Sequence, residues 1–352
     1  MTEKLLTDTF LATIENFKLP RDRYHIILET GLLAFFPMAG GWIRIMASRE
    51  KLSTTEPTVD EIKDVVRKSL PGGGEVTKVT WITNFRLHHR VGNSYRDGRI
   101  FLIGDAAHIH SPVGGQGLNT ALQDALNLGW KLGSVIRGDR PESFLDTFDE
   151  ERRRVGQELV SKTDKIFKLV SVKNPLAISL RKLVLSWLAP YIMSKANLES
   201  FYNFVSQFSI NYHESSLTYG GSTMISGPVK AGDRAPDGEV DIDGETKRFY
   251  KLLSLESHNL VLFSGPLRTA SVLEDLKSAA AKFEAKNNMH RARVHIITQE
   301  RGIRDTTYSH RLHKTYGFSF PGFVYIRPDG YVAAIDQLDR LEDFLKWLSQ
   351  ST

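Results

Sequence analysis

The 352-residue chain contains no cysteine. That excludes disulfides, thiolate zinc sites, cysteine-ligated iron–sulfur clusters and any C-x-x-C redox centre. It fits a cytoplasmic protein, and that is the expected location. A membrane-length apolar run is also missing: the most apolar late stretch, residues 176–193, is interrupted by Arg181 and Lys182. It reads as a packed or surface helix and not as a membrane span. The opening MTEKLLTDTF has no basic segment followed by an apolar one, so no secretory leader is expected. Neither G-x-G-x-x-G nor Gly-Lys-Ser/Thr occurs, which removes the dinucleotide and P-loop phosphate signatures. The formal net charge is +5, but the basic residues are scattered and form no stripe, so nucleic acid is not an expected partner.

What remains is an ordinary globular composition, 41% hydrophobic and 25% charged, on a chain long enough for two domains with their own cores. Residues 4–49 alternate short apolar runs with turn residues, and Ala39-Gly40-Gly41 between two such runs predicts a hairpin in an antiparallel sheet. Thr58 and Glu61 form a capping-box pattern ahead of Ile62, Val65, Val66 and Leu70, which keep helical spacing. Residues 75–91 alternate as strand, with Trp81, Ile82 and Phe85 as core candidates. Two further helical patterns, about 175–189 and 190–209, meet at Pro190. After a stretch rich in Gly, Ser and Pro comes a strand at 259–263, a helix near 270–286, a strand at 293–298, a hairpin at 323–335 and a closing helix over 338–348. That order predicts an α/β sandwich.

One stretch carries more chemistry than any other. Residues 98–138 read GRIFLIGDAAHIHSPVGGQGLNTALQDALNLGWKLGSVIRG. An apolar run, 100–103, predicts a strand covered on both faces, and Asp105 follows at its carboxyl end. Ligands of open α/β sheets bind at such ends, and a carboxylate there can accept hydrogen bonds from sugar or polyol hydroxyls. Glycines 114, 115 and 117 then lead into a helix, where backbone N–H groups and partial positive charge favour an electron-rich ligand. Leu118, Ala121, Leu122, Ala125, Leu128, Leu132 and Ile136 keep the i, i+3, i+4 spacing of a core-facing helix, and Gly138 predicts its end.

The whole string resembles the second flavin motif of the FAD-dependent aromatic hydroxylases, the single-component flavoprotein monooxygenases. The likeness extends upstream through GLLAFFPMAGGWIRI and WITNFRLHHRVGNSYRDGR and downstream through LDTFDEERRRVGQEL. The final third, entered by GPVKAGDRAPDGEV, resembles the thioredoxin-like domain of the phenol-hydroxylase-like branch. The resemblance implies an α/β (α+β) fold in four parts: a flavin and substrate portion over residues 1–165, a helical extension over 166–212, a linker over 213–237, and a thioredoxin-like domain over 238–352 without redox cysteines.

It also implies a function. FAD would be the cofactor, NAD(P)H the reductant, O2 the oxidant and an aromatic, phenol-like small molecule the substrate, lying over the sheet that carries residues 32–37 and 42–45. Asp105 would bond the ribityl chain, Pro112 would sit beside the flavin ring, and Gly117, Leu118 and Asn119 would present backbone groups to its pyrimidine edge. The resemblance assigns no catalytic residue. His108 reads as a packing histidine, and Arg152 and Arg153 as partners of Asp149 or Glu150. The family's βαβ unit with G-x-G-x-x-G has no counterpart here, so activity is expected to require a separate amino-terminal flavin-domain polypeptide. A homodimer through the last domain is a further expectation. Two other readings stand beside this one: a non-enzymatic interaction module that binds no FAD alone, and another flavin oxidoreductase such as a halogenase, against which the missing Trp-x-Trp argues.

Overall fold

The computed structural model describes residues 5–27, 33–48, 58–110, 115–170, 179, 184, 187, 194–220, 227–242, 244–266, 270–286, 292–300, 303 and 306–350, and the statements below concern these residues. The fold is mixed α/β. Two compact units interleave along the chain. Unit 1 takes residues 1–92, 105–117 and 156–202, and unit 2 takes 93–104, 118–155 and 203–352.

Unit 1 is built on a five-stranded antiparallel sheet of β1 (Leu5–Glu15), β2 (His25–Ile27), β3 (Leu33–Pro37), β4 (Trp42–Ser48) and β5 (Glu75–Leu87), in the order β2-β3-β4-β1-β5. The expected hairpin joins β3 to β4 through a turn at Ala39–Gly41. Phe10, Ala12 and Ile14 alternate onto one face and pack with Phe35, Ile43 and Ile45. Helix α1 (Val59–Ser69) covers that face with Ile62 and Val66, followed by Leu70. Its capping box is formed as its sequence predicts: Thr58 Oγ1 accepts from the Glu61 N–H at 3.3 Å, and Glu61 Oε2 accepts from the Thr58 N–H at 2.9 Å. Trp81 is not a core residue. It pairs with Leu11, whose side points away from the α1 face, and it is 49% exposed. Ile82 packs against the core, and the Phe85 side chain lies outside the described residues.

Short ladders follow: β6 (Arg90–Val91), β7 (Arg96–Asp97), β8 (Ile100–Phe101) and β9 (His108–Ile109), pairing β7 with β8 and β6 with β9. The strand expected over 100–103 is therefore two residues long and antiparallel. With β7 as its partner and no other strand beside it among the described residues, its faces stay open: Ile100 is 68% and Ile103 40% exposed. Helices α2 (Gly117–Ile136), α3 (Asp146–Val170) and α4 (Lys195–Val205) come next; most of the helical pattern expected at 175–189 lies outside the described residues.

The second sheet belongs to unit 2. It contains β10 (Glu239–Ile242), β11 (Glu245–Arg248), β12 (Asn259–Phe263), β13 (Arg293–Thr298), β14 (Thr307–Tyr308), β15 (Gly322–Ile326) and β16 (Val332–Gln337), in the order β11-β10-β14-β13-β12-β15-β16. Helix α5 (Ala270–Lys286) makes the crossover between parallel β12 and β13, α6 (His310–Tyr316) precedes β15, and α7 (Leu341–Gln350) closes the chain. All five residues of β12 are buried, because both faces are covered. Leu260 and Leu262 meet Leu276, Phe283 and Phe344, while Val261 and Phe263 meet Leu312 and Tyr316.

Unit 2 departs from the consecutive blocks expected from the sequence. Residues 118–155 pack with the last sheet, and the expected linker is bound along it. Tyr219 N–H donates to Ala333 O at 2.8 Å, Gly232 N–H to Val332 O at 2.7 Å and Ala235 N–H to Gly330 O at 2.9 Å. The physical reason is a buried ionic cluster. Glu151 of α3 receives Lys131 Nζ of α2 at 2.8 Å and both terminal nitrogens of Arg327, in the β15–β16 turn, at 2.5 and 2.9 Å. Arg327 also donates to Asp329, and the same carboxylate accepts from Trp130 Nε1 at 3.1 Å and Asn127 at 3.2 Å. Burial pushes the Glu151 pKa up, but the charges of Arg327 and Lys131 outweigh it and hold the carboxyl well below its ordinary 4.5. Burial pulls Lys131 down to about 8 despite Glu151 beside it.

A depressed carboxyl stabilises the fold above its ordinary pKa and loses that contribution as pH falls through the folded value. Glu151→Gln should therefore cost about 3–5 kcal/mol near neutral pH, with the gap to wild type narrowing below pH 4.5. Urea melts at pH 7 and pH 4 measure it; a gap of constant size would assign the loss to packing and not to charge.

Candidate functional site

The chain leaves β8 through a 3-10 turn, Gly104–Ala106, in which Gly104 takes φ of +56°. An added Cβ at Gly104 would come within 3.0 Å of Ala121 Cβ on α2, so the turn and the helix touch where only glycine fits comfortably. The Gly104 N–H donates to Asp124 Oδ2 at 3.0 Å. Asp105, the next residue, is exposed, as is Ala106, whereas Ala107 and His108 are buried. Tyr95 O receives the Leu102 N–H at 2.9 Å, closing the hairpin that leads into the turn.

Beyond the turn, His108 is 2% exposed on β9, and its ring stacks on His110 with centroids 6.3 Å apart. That is the packing role its sequence context suggests. Pro112 lies outside the described residues. Gly115 has φ of +63° with open space where a side chain would stand, so a ligand can approach its backbone closely. Gly117, half-buried, begins α2, and Leu118 and Asn119 follow it in the exposed first turn. The first four N–H groups of a helix have no intrahelical partner and carry partial positive charge, which suits an electron-rich ring edge. Asp105 and Gly117 fall in unit 1, Leu118 and Asn119 in unit 2.

Helix α2 follows the expectation from its apolar spacing only in part: Leu128 is buried and Ala121 and Leu132 are half-buried, but the rest of the inward face is polar. Its buried residues are Thr120, Asp124, Asn127, Leu128, Lys131 and Ser134, and Leu118, Leu122, Leu126 and Ile136 are exposed. The polar stripe turns inward because Thr120, Asp124, Asn127 and Lys131 find partners there. Arg152 of α3, fully buried, donates from Nε to Asp124 Oδ1 at 2.7 Å, from Nη1 to the Tyr212 hydroxyl at 2.9 Å and from Nη2 to Thr120 O at 3.3 Å. Arg152 thus does not pair with Asp149 or Glu150. Arg153 does, on Asp149 Oδ2 at 3.1 Å, one turn away on the same helix. Burial works against the Arg152 charge, but Tyr212 and Asp124 outweigh it and raise the guanidinium pKa further, so it stays charged. Asp124, Lys131, Glu151 and Arg152 were not singled out by sequence. The available signal was the recurrence of Thr120, Asp124, Asn127, Lys131 and Ser134 at alternating steps of four and three, a helical stripe of polar residues.

A family model described as an FAD binding domain matches residues 25–163. The 6-methylpretetramide 4-monooxygenase of Streptomyces rimosus is 32% identical over 327 residues, which cover 91% of this chain and 57% of that protein. Pentachlorophenol 4-monooxygenase of Sphingobium chlorophenolicum is 31% identical, over 74% of this chain and 46% of its own length. The crystal structure of CabE, an aromatic hydroxylase from angucycline biosynthesis, superposes with a TM-score of 0.64 at 25% identity, covering 94% of this chain and 61% of that one. The chain therefore spans about half the length of the curated relatives it matches.

Gly104→Ala combines a left-handed φ with a close Cβ contact, and a cost of about 1–3 kcal/mol is expected. Thermal unfolding should show it as a lowered Tm, and an unchanged Tm would mean that the turn can relax away from α2.

Proposed function

We propose that this chain, which belongs to the FAD-dependent aromatic hydroxylase family, forms the flavin-ring and ribityl wall of a monooxygenase that hydroxylates an aromatic, phenol-like substrate with NAD(P)H and O2. The observation that carries this reading is the Gly104 turn held against α2, with Asp105, the next residue, exposed. These residues fit FAD. Gly115 has no side chain to keep a flat ring off its backbone, the first turn of α2 offers N–H donors, and an exposed carboxylate suits polyol hydroxyls.

In this reading Asp105 accepts hydrogen bonds from the ribityl chain, and Gly117, Leu118 and Asn119 orient the pyrimidine edge. Pro112 stands beside the ring. Bound FAD supplies the hydride acceptor and the oxygen chemistry, while the protein contributes placement and exclusion of water. The sheet face turned away from α1 carries Leu11, Phe36, Arg44, Met46 and Trp81, a mixture that suits an aromatic ring with a polar substituent, and we assign the substrate to it.

The exposed Leu118, Leu122 and Leu126 of α2, and the exposed Ile100 and Ile103, support a partner for unit 2. We assign it to a flavin-domain polypeptide carrying the adenine and pyrophosphate site. Parallel β12 and β13 across α5, followed by the β15–β16 hairpin and α7, support a thioredoxin-like reading of the last sheet; with no cysteine its use is structural. The same lack of cysteine supports a cytoplasmic location, and among the described residues no helix is long and apolar enough to cross a membrane.

FAD added to the chain, alone or with the flavin-domain polypeptide, should lose fluorescence on binding. Asp105→Ala should weaken that binding at least tenfold, and equal affinity would remove the role given to Asp105. The reconstituted pair should oxidise NAD(P)H faster when phenols are added; no response to phenols overturns the monooxygenase reading and leaves the interaction module. Leu122→Glu with Leu126→Glu should reduce binding of a hydrophobic dye and abolish capture of the flavin-domain polypeptide, and undiminished capture would place that partner elsewhere.

A further inference from the structure

We infer that Asp124, locked by Arg152, is a positioning residue that holds the Gly104 peptide, from which the chain continues to Asp105, against the first turn of α2 for the flavin. The inference rests on the cofactor assignment proposed above and adds residues that touch no ligand themselves.

The carboxylate of Asp124 is completely buried, and each of its oxygens accepts from a donor of the same unit. Oδ2 accepts the Gly104 N–H at 3.0 Å, and Oδ1 accepts Arg152 Nε at 2.7 Å. Charge-assisted bonds of this kind are shorter and stronger than neutral ones, and in a water-free setting no solvent can replace either of them. The Gly104 N–H belongs to the Ile103–Gly104 peptide, one peptide before the link to Asp105, so holding it anchors the entry to the turn from which Asp105 emerges. Close packing reinforces the bond, since a methyl group at Gly104 would press on Ala121 at 3.0 Å.

Arg152 extends the grip to the other half of the edge. Besides Asp124 it holds Thr120 O at 3.3 Å, in the first turn of α2 directly after Leu118 and Asn119. Gln207 donates to the Thr120 hydroxyl of the same turn, and Gln123 donates to Gln207 at 2.7 Å. The third direction of the guanidinium is taken by Tyr212. A single planar fork thus ties the acidic turn to the helix start, and Lys could not bond all three acceptors in this geometry.

Asp124→Asn tests this without changing size. An amide offers one acceptor oxygen and one NH2 group, whereas both neighbours of Asp124 are donors, so one bond must be lost. Hydrogen exchange of the full-length chain should show the Gly104 amide exchanging at least tenfold faster in Asp124→Asn, with amides of β1 and β12 unchanged. FAD affinity, read by fluorescence quenching with the flavin-domain polypeptide present, should fall at least tenfold. Asp105→Ala is the comparator: it should lose flavin affinity while Gly104 protection stays at the wild-type level. Arg152→Lys provides the same two readouts should Asp124→Asn not fold. Unchanged Gly104 exchange in the folded variant overturns the inference, and so does faster exchange with unaltered FAD affinity. If wild type binds no FAD with or without the polypeptide, the cofactor assignment has failed, and the inference, in the form that names the flavin, falls with it. The exchange rates then decide separately whether Asp124 holds the turn.

Discussion

Charge removed from water has to be balanced where it lies, and unit 2 is arranged around that requirement. Asp124, Glu151 and Asp329 face Lys131, Arg152 and Arg327, three acids against three bases, and their side chains are at most 2% exposed. Buried pairs of this kind contribute little net stability compared with an apolar core, but removing one partner strands the others at a cost of several kcal/mol. The arrangement is consequently all-or-none. It ties α2, α3 and the β15–β16 turn into one body, with Ser215 and Tyr212 bonded to its acidic and basic members respectively.

This balance decides the orientation of α2. A helix with an apolar stripe and a polar stripe ordinarily buries the first. Here the polar stripe has specific ionic partners inside the unit, and Leu118, Leu122 and Leu126 are left on the surface. The burial of Asp124 in turn brings the Gly104 peptide to the helix, so the acidic turn and the helix start share one support. The aromatic rings around Arg327, including Tyr212 at 5.0 Å and Trp130 at 5.3 Å from the guanidinium carbon, complete the shell and exclude water from it.

Local patterns in the sequence were sufficient for the parts whose forces are local. The capping box at Thr58, the β3–β4 hairpin, β12, α5 and β13 lie where spacing and turn residues put them. The short strands β10, β11 and β14 were not anticipated, because two to four residues carry too little alternation to register. The inward face of α2 was misread for a different reason. Apolar periodicity reports what a helix could bury, and only Arg152 and Arg327, 21 and 196 residues beyond Lys131 in the chain, determine what it does bury. Trp81 shows the same limit on a strand, since its face follows from register with β1 and not from its size. The motif of residues 98–138 named the cofactor class and the exposed Asp105, but the residues that hold that turn are ordinary charged residues without a motif of their own.

The reach of the cluster along the chain has a consequence for the order of folding. Asn127 and Asp329 are bonded across 202 positions, and Glu151 and Arg327 across 176. Closing loops of that length is slow relative to forming helices or hairpins, and contacts so far apart form late. During synthesis α2 and α3 leave the ribosome well before Arg327 exists, carrying Glu151 without the guanidinium that pairs with it in the folded unit. The nascent chain therefore passes through an interval in which the acid on α3 lacks its guanidinium partner, and that interval ends only when the last hairpin is made.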